Sequence, residues 1–322
     1  MRTSLVFAHP LLGVSRTMLV LLLWAVLIGM SACVVLSRRA AFRLRNETLT
    51  RLPLDADGII SGAQGFALRR GADAPGVLLI HGGGDTPQAL RYLAEYMHGR
   101  GYSVRAPLLP GHGRTLREFS GVVADQWMQA VRTAYRELTE EHSWVAVAGL
   151  SMGGALAAQL AAEQQSIPAT VLLAPYLAIP TRIAIAARFA AVWGVAIPYV
   201  RALDPAARRS IQNQAEAARS LAYGVFTPAA LRALRTTVVR AIRALPKVTS
   251  PILMVQSRED NRIAPAAAQR AFDRIAASDK ELVWVTGSGH VITVDYGREH
   301  VFELVVDWLD RHQTKIVRER RA

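Results

Sequence analysis

A serine at position 151, flanked by glycines, is well placed in this sequence to act as a nucleophile. It lies in Gly149-Leu150-Ser151-Met152-Gly153, which matches the pattern G-x-S-x-G, after a predicted strand and before a predicted helix. Small residues there permit a strained strand-to-helix turn that lifts the serine hydroxyl above a sheet. The N-terminus of the following helix would direct backbone N–H groups at developing negative charge. The pattern therefore predicts attack of Ser151 on a carbonyl carbon.

A serine hydroxyl is a poor nucleophile near neutral pH and needs a base, which in turn needs an acid to orient it. The candidate base, His290, follows a predicted strand at 282–285, and the candidate acid, Asp260, follows a predicted strand at 252–255. Both lie in loops at the C-terminal ends of strands, where open α/β sheets place their sites. Glu259, next to Asp260, is a rival for the acid.

A run of glycines follows another predicted strand, at 77–80, in the stretch His-Gly-Gly-Gly at 81–84. Glycines in such a turn let backbone amides approach a substrate oxygen closely. We expect the Gly83 N–H and the Met152 N–H to form an oxyanion hole. His112, in a loop rich in glycine and proline, is expected to be structural.

Composition limits the remaining classes of protein. The chain has 322 residues, of which 51% are hydrophobic and 20% are charged, so it can bury a sizeable core and is not mainly disordered. Cys33 is the only cysteine, which excludes an intramolecular disulfide and a cysteine-based zinc cluster. The chemistry of a serine nucleophile needs no metal and no organic cofactor, and we expect neither.

Residues 18–36 carry no formal charge and are almost entirely apolar, which predicts a membrane-inserted helix within an N-terminal segment at 1–45. The favoured interpretation is a single uncleaved span in a bacterial inner membrane. A lipoprotein signal is the alternative, because the stretch 30–33 ends in Cys33 and resembles a lipobox; ordinary signal-peptidase cleavage is a third. Two arginines precede the span and four follow it closely, which by the positive-inside rule places the rest of the chain in the cytoplasm.

The rest of the chain alternates predicted strands and helices, which indicates a mostly parallel sheet with helices on both faces. We divide it into a core at 46–175 and 248–322, interrupted by a helical insertion at 176–247. This insertion holds ten arginines and one lysine against two acidic residues, a net charge of +9 out of +13 for the chain. No nucleic-acid-binding motif accompanies the charge, so we expect no nucleic-acid partner. We expect the insertion to meet anionic lipid instead.

Five motifs together resemble the α/β-hydrolase superfamily, and most of all its monoacylglycerol lipase and bacterial carboxylesterase branch. The resemblance covers about Phe66 to Leu309. The motifs are HGGG at 81–84, LPGHG at 109–113, GLSMGG at 149–154, the pattern D-x-x-I-x-P from Asp260, and GSGHVITVD at 287–295.

This resemblance implies a catalytic triad of Ser151, Asp260 and His290, a helical cap over an acyl pocket, and ester hydrolysis through an acyl-enzyme. The expected substrate is a small or lipid-like ester, such as a monoacylglycerol or a lysophospholipid. Thioester or amide hydrolysis and acyl transfer by the same triad are alternatives. A membrane scaffold that keeps the fold without catalysis is a further, non-enzymatic one.

Overall fold

The computed structural model describes residues 15–195, 197–201 and 210–319. The first element is a long helix, α1 (Arg16–Arg51), which begins where the Ser15 side chain accepts a hydrogen bond from the Met18 N–H at 3.2 Å. Its most apolar 18-residue window has a mean hydropathy of 2.8, and none of that window is buried. Such exposure excludes a core helix, while the length and composition fit a membrane span and a signal sequence alike.

In the described part of the chain, seven strands form one sheet, with β1 antiparallel to its neighbour and the others parallel. The spatial order is β1-β3-β2-β4-β5-β8-β9. The strands are β1 (Phe66–Leu68), β2 (Gly76–Ile80), β3 (Ser103–Ala106), β4 (Val145–Leu150), β5 (Thr170–Leu173), β8 (Ile252–Ser257) and β9 (Lys280–Val285); a separate antiparallel pair is β6 (Val200–Arg201) with β7 (Val225–Phe226).

Helices cover both faces of the sheet, as the sequence predicts. They are α2 (Arg91–Gly99), α3 (Leu116–Phe119), α4 (Ala124–Glu141), α5 (Met152–Glu163), α6 (Thr181–Arg188), α7 (Ala190–Trp193), α8 (Gln214–Arg219), α9 (Pro228–Ala244), α10 (Pro265–Asp273) and α11 (Arg298–Glu319). Alternate side chains of each central strand enter opposite cores: Leu78 and Ile80 of β2 pack with α4 and α5, whereas Val77 and Leu79 pack with α2 and α11. Two buried faces explain why these strands are apolar throughout rather than alternating.

The insertion predicted at 176–247 contains more than helices. Its two short strands, β6 and β7, are too brief to leave a periodic signal in the sequence. Its last helix, α9, packs against α5 in the layer that covers the sheet, and the Gln159 amide nitrogen donates to the Thr237 carbonyl at 3.2 Å. The part that lies outside this layer, which we call the cap, therefore runs from 176 to 227. Among the described residues of the cap, five large apolar side chains are exposed: Ile185, Phe189, Val192, Val195 and Ile197.

The helix α1 extends past the N-terminal segment expected at 1–45 and ends at Arg51, and its last turns pack against the body. Ala41 and Thr48 are buried there. The Arg51 guanidinium donates to the carbonyls of Ala222 at 2.7 Å and Tyr223 at 3.0 Å, both in the cap. One continuous helix therefore joins the apolar segment to the cap.

Candidate active site

Ser151 occupies the turn between β4 and α5 with φ 56° and ψ −116°. A positive φ is rare for a residue with a side chain and stores strain that the surroundings must hold. The neighbouring glycines make this turn possible: a Cβ on Gly153 would overlap the Ile80 carbonyl, and one on Gly149 would overlap the backbone of Gly153. Because the Ser151 carbonyl also accepts from the Tyr176 N–H at 2.9 Å, the turn is held from both sides.

A chain of hydrogen bonds joins the three residues that the sequence singles out. Nε2 of His290 lies 2.7 Å from Oγ of Ser151, and Nδ1 of the same ring lies 2.8 Å from Oδ2 of Asp260. Since the carboxylate can only accept, Nδ1 carries the ring proton and Nε2 is left to accept from the serine hydroxyl. The arrangement can remove a proton from Ser151 as the hydroxyl attacks an electrophile.

Asp260 is fixed by four hydrogen bonds. Besides His290, Oδ2 accepts from the Gln256 side chain at 2.7 Å, and Oδ1 accepts from the backbone N–H groups of Arg262 at 2.7 Å and Ile263 at 3.0 Å. Burial alone would raise the pKa of Asp260, but the nearby imidazole and the hydrogen bonds outweigh it and hold the pKa below its ordinary value. The group is thus ionised and oriented at neutral pH.

The rival acid, Glu259, points elsewhere. Its carboxylate accepts from the Gln212 side chain at 2.8 Å and from the Gly287 N–H at 3.1 Å, and these bonds lower its pKa. The geometry therefore places Asp260, and not Glu259, against His290.

The glycine loop after β2 lies directly beside the serine. A Cβ on Gly82 would come within 3.4 Å of the Ser151 Cβ, and one on Gly83 within 3.2 Å of the Met152 sulfur. Both predicted oxyanion donors, the Gly83 and Met152 N–H groups, thus belong to segments that meet at Ser151. Met152 is also the first residue of α5, where the helix dipole favours negative charge.

A buried histidine holds this glycine loop in place. His81 accepts from the Leu109 N–H at 3.0 Å through Nε2 and lies 2.9 Å from the Gly82 carbonyl through Nδ1. Burial lowers the pKa of His81 to about 4, so the ring is neutral at pH 7. His112 is likewise buried and packs edge-on against His81 and Phe119, which fits the structural role expected for it.

Two carboxylates near the site have roles that sequence reasoning missed. Asp295, the last residue of the motif GSGHVITVD, accepts from the N–H groups of Gln212 at 2.7 Å, Asn213 at 2.8 Å, Gly289 at 2.8 Å and Tyr296 at 3.0 Å. It ties the base of the cap to the loop that carries the histidine. The motif pointed to this residue, but only the long-range contacts to the cap show what it does.

The second is Asp85, one residue beyond the glycine run. It is buried beside the oxyanion loop, where it accepts from the Thr86 N–H at 2.8 Å. Burial raises its pKa to about 6. Among the described residues, no group of three or more His, Cys, Asp or Glu side chains could hold a metal ion.

A seven-stranded, mostly parallel sheet with a strained serine turn after a central strand defines an α/β-hydrolase. The family described as "Serine aminopeptidase, S33" matches residues 73–296, and the chain belongs to this family.

Two named relatives and one solved structure show which enzyme activities occur in proteins similar to this chain. The chain is 32% identical over 254 residues to a thermostable monoacylglycerol lipase from Bacillus sp. (strain H-257), covering 79% of this chain and 97% of the relative. It is 28% identical over 236 residues to a carboxylesterase from Bacillus subtilis (strain 168), covering 73% and 92%. A solved structure reported with two metagenome-derived lipolytic enzymes, LipS and LipT, superposes with a TM-score of 0.70 at 29% identity, covering 79% of this chain and all of the other. The protein is a serine ester hydrolase.

Proposed function

We propose that this protein cleaves carboxylic esters of single-chain lipids, such as monoacylglycerols or lysophospholipids, through an acyl-enzyme on Ser151. The observation that carries the proposal is the hydrogen-bond chain from Asp260 through His290 to Ser151, with heavy-atom distances of 2.8 and 2.7 Å. Its support comes from two further sources. The relatives include a monoacylglycerol lipase and a carboxylesterase, and the cap exposes an apolar surface next to an apolar helix.

The proposed reaction has two halves. The Ser151 oxygen attacks the ester carbonyl while His290 takes the hydroxyl proton, and the carbonyl oxygen, now negative, accepts from the Gly83 and Met152 N–H groups. His290 then gives the proton to the departing alkoxide, which leaves as the alcohol. Water repeats the sequence on the acyl-enzyme and releases the carboxylic acid. Asp260 holds the imidazole in the required tautomer and stabilises its charged form throughout.

We further propose that α1 is an uncleaved span in a bacterial inner membrane, with lipidation at Cys33 as the alternative. Cys33 is exposed on the helix, within the apolar segment. The exposed apolar side chains of the cap support a membrane-spanning α1, because they lie next to that helix. Val195, for example, lines the same surface pocket as Arg38, Phe42 and Arg45 of α1. Apolar groups beside arginines at the end of a span suit the interface of an anionic leaflet.

We also propose that the insertion contacts anionic lipid, and that Arg201, Arg208 and Arg209 contribute to this contact. Arg201 lies in β6, and Arg208 and Arg209 lie outside the described residues.

The substrate class is tested by hydrolysis of p-nitrophenyl esters from two to sixteen carbons by the full chain in detergent micelles, with a monoacylglycerol and a lysophospholipid alongside. We expect kcat/KM to rise with acyl length beyond four carbons and both lipids to be cleaved, with all activity lost in Ser151→Ala. Hydrolysis restricted to acetate and butyrate esters would overturn the lipid assignment while leaving the serine mechanism in place.

A further inference from the structure

We propose that the second half of α1 is a wall of the substrate pocket, so that the helix which enters the membrane also binds the lipid ester. The inference rests on the proposed function and deepens it. It begins from a cavity of about 520 Å³ that reaches the oxyanion loop at Gly83. Four α1 residues also line this cavity: Leu44, Glu47, Thr48 and Arg51.

The cavity extends to residues beside the triad. Its lining includes Gly83, whose N–H is the proposed oxyanion donor, and Val291, the residue after the proposed base. A substrate whose ester carbonyl is bound at the Gly83 N–H therefore has this cavity next to it. A substrate that also fills the cavity would contact α1.

Burial and hydrogen bonds fix the second half of α1 to the body of the protein. Thr48 is only 7% exposed, and Arg51 donates to two cap carbonyls, one of them from Tyr223. Tyr223 is itself anchored, because its hydroxyl accepts from the Arg114 N–H at 2.8 Å and lies 2.9 Å from the Arg114 carbonyl. Hydrogen bonds through Tyr223 therefore connect Arg51 of α1 to Arg114, in the loop that follows β3.

The cavity lining contains both apolar and charged groups, as the binding of an amphiphilic ligand requires. Leu44, Val225 and Phe226 contribute apolar groups to the cavity lining, and Asp85 and Arg262 contribute charged groups. A single acyl chain joined to a polar head through an ester would satisfy both kinds of group. At a rise of about 1.5 Å per residue, Leu44 lies roughly 12 Å along the helix from the end of the apolar run at Leu36. A lipid leaving the membrane surface would therefore reach the pocket along α1.

The part of α1 that lines the cavity lies outside the region that matches the family. The family match begins at residue 73, well after α1 ends at Arg51. The pocket of this chain is thus completed by a segment outside the family region, and that segment sets which substrates fit.

The test compares two substitutions on the full chain in mixed micelles. Leu44→Trp fills the pocket side of α1, and Asn46→Trp places the same side chain on an exposed position of the same helix. The two substrates are 1-monooleoylglycerol and p-nitrophenyl acetate. The quantity compared is the ratio of their kcat/KM values, and the concentration of active sites is taken from the amount of fluorophosphonate that each preparation binds at saturation, so that loss of folded protein cancels.

We expect Leu44→Trp to lower the ratio of long to short ester at least tenfold, because only the long chain must pass the wall, and Asn46→Trp to leave it within twofold of wild type. Leu44→Gln, of similar size and helix propensity, should raise KM for 1-monooleoylglycerol at least fivefold. A ratio within twofold of wild type in both Leu44 variants overturns the inference. Failure of the unmodified chain to cleave either ester would instead overturn the proposed function.

Discussion

Asp260 and Glu259 stand next to each other in the chain, yet only the aspartate contacts His290. The reason is local: Oδ1 of Asp260 accepts from two backbone N–H groups of the loop that follows it, which turns Oδ2 towards the imidazole. Glu259 is engaged by Gln212 and Gly287. The sequence identifies both residues as candidate acids, but it does not show which of them contacts His290, because that contact depends on how the loop turns after β8.

Substitution of the two acids separates their roles. Asp260→Asn should lower kcat by about 10⁴-fold, because the amide no longer holds His290 in the tautomer that accepts from Ser151. Glu259→Gln removes the same charge one residue away and should change kcat by less than about threefold. Both are measured on a short soluble ester. Equal losses in the two variants would contradict the assignment of Asp260.

Asp85 makes stability depend on pH. Its pKa in the folded state, about 6, lies above the ordinary value of 3.8 because burial disfavours the charged form. Its contribution to stability is therefore fully present below pH 3.8 and is lost as the pH rises through 6. A shift of this size corresponds to about 3 kcal/mol at most.

Asp85→Asn should remove this dependence, since an amide does not ionise. The unfolding free energy of the variant relative to wild type should rise between pH 4 and pH 7 and level off above that range, as followed by urea denaturation in detergent. A difference between the two proteins that stays constant over that range would contradict the burial argument.

The strand-to-helix turn at Ser151 shows what sequence reasoning recovers at the scale of elements. The glycines at 149 and 153 mark it because no other residue fits beside the neighbouring backbone, and such steric demands are visible in a local motif. The cap is different. The strands β6 and β7 are two residues long each, and the hydrogen bonds that Asp295 accepts from the Gln212 and Asn213 N–H groups join residues more than eighty positions apart. Neither leaves a local signature.

Gly153→Ala tests the steric account of the turn. A methyl group would overlap the Ile80 carbonyl, so we expect a loss of about 3 kcal/mol or more in unfolding free energy and the loss of fluorophosphonate labelling. Gly71→Ala is the matched control, because nothing lies within 4 Å of its added Cβ. It should leave both quantities near wild type. A fully active Gly153→Ala variant would contradict the steric account, because the added methyl group would then fit in the turn.

At the scale of the whole molecule, the described residues form a hydrolase body and one helix, α1, whose first half extends away from it. The order of elements, the parallel sheet and the three residues joined at the site follow from apolar runs and motifs. The packing of α1 against the cap does not, because Arg51 and Tyr223 are distant in sequence and neither belongs to a motif. Apolarity predicted that the first half of α1 inserts into a membrane, but it carried no information about the second half.

The membrane assignment of α1 is tested by placing charge within it. Leu23→Arg combined with Ile28→Arg should release the chain from the membrane fraction after an alkaline carbonate wash, because each arginine at the centre of a span costs about 3 kcal/mol. Asn46→Arg adds charge on the same helix beyond the apolar run and should leave the chain in the pellet. Retention of the double variant would contradict a spanning helix, and loss of the residues before Cys33 from the mature chain would support lipidation.

The central claim is that Ser151 is an activated nucleophile, and covalent labelling tests it most directly. The full chain is treated with a fluorophosphonate, digested, and the modified peptide is identified by mass spectrometry. The hydrogen bonds to His290 and Asp260 predict one adduct, on Ser151, which forms at least 10³-fold more slowly in His290→Ala and is absent in Ser151→Ala. A folded wild-type protein that takes no label, or takes it on another serine, would contradict the account.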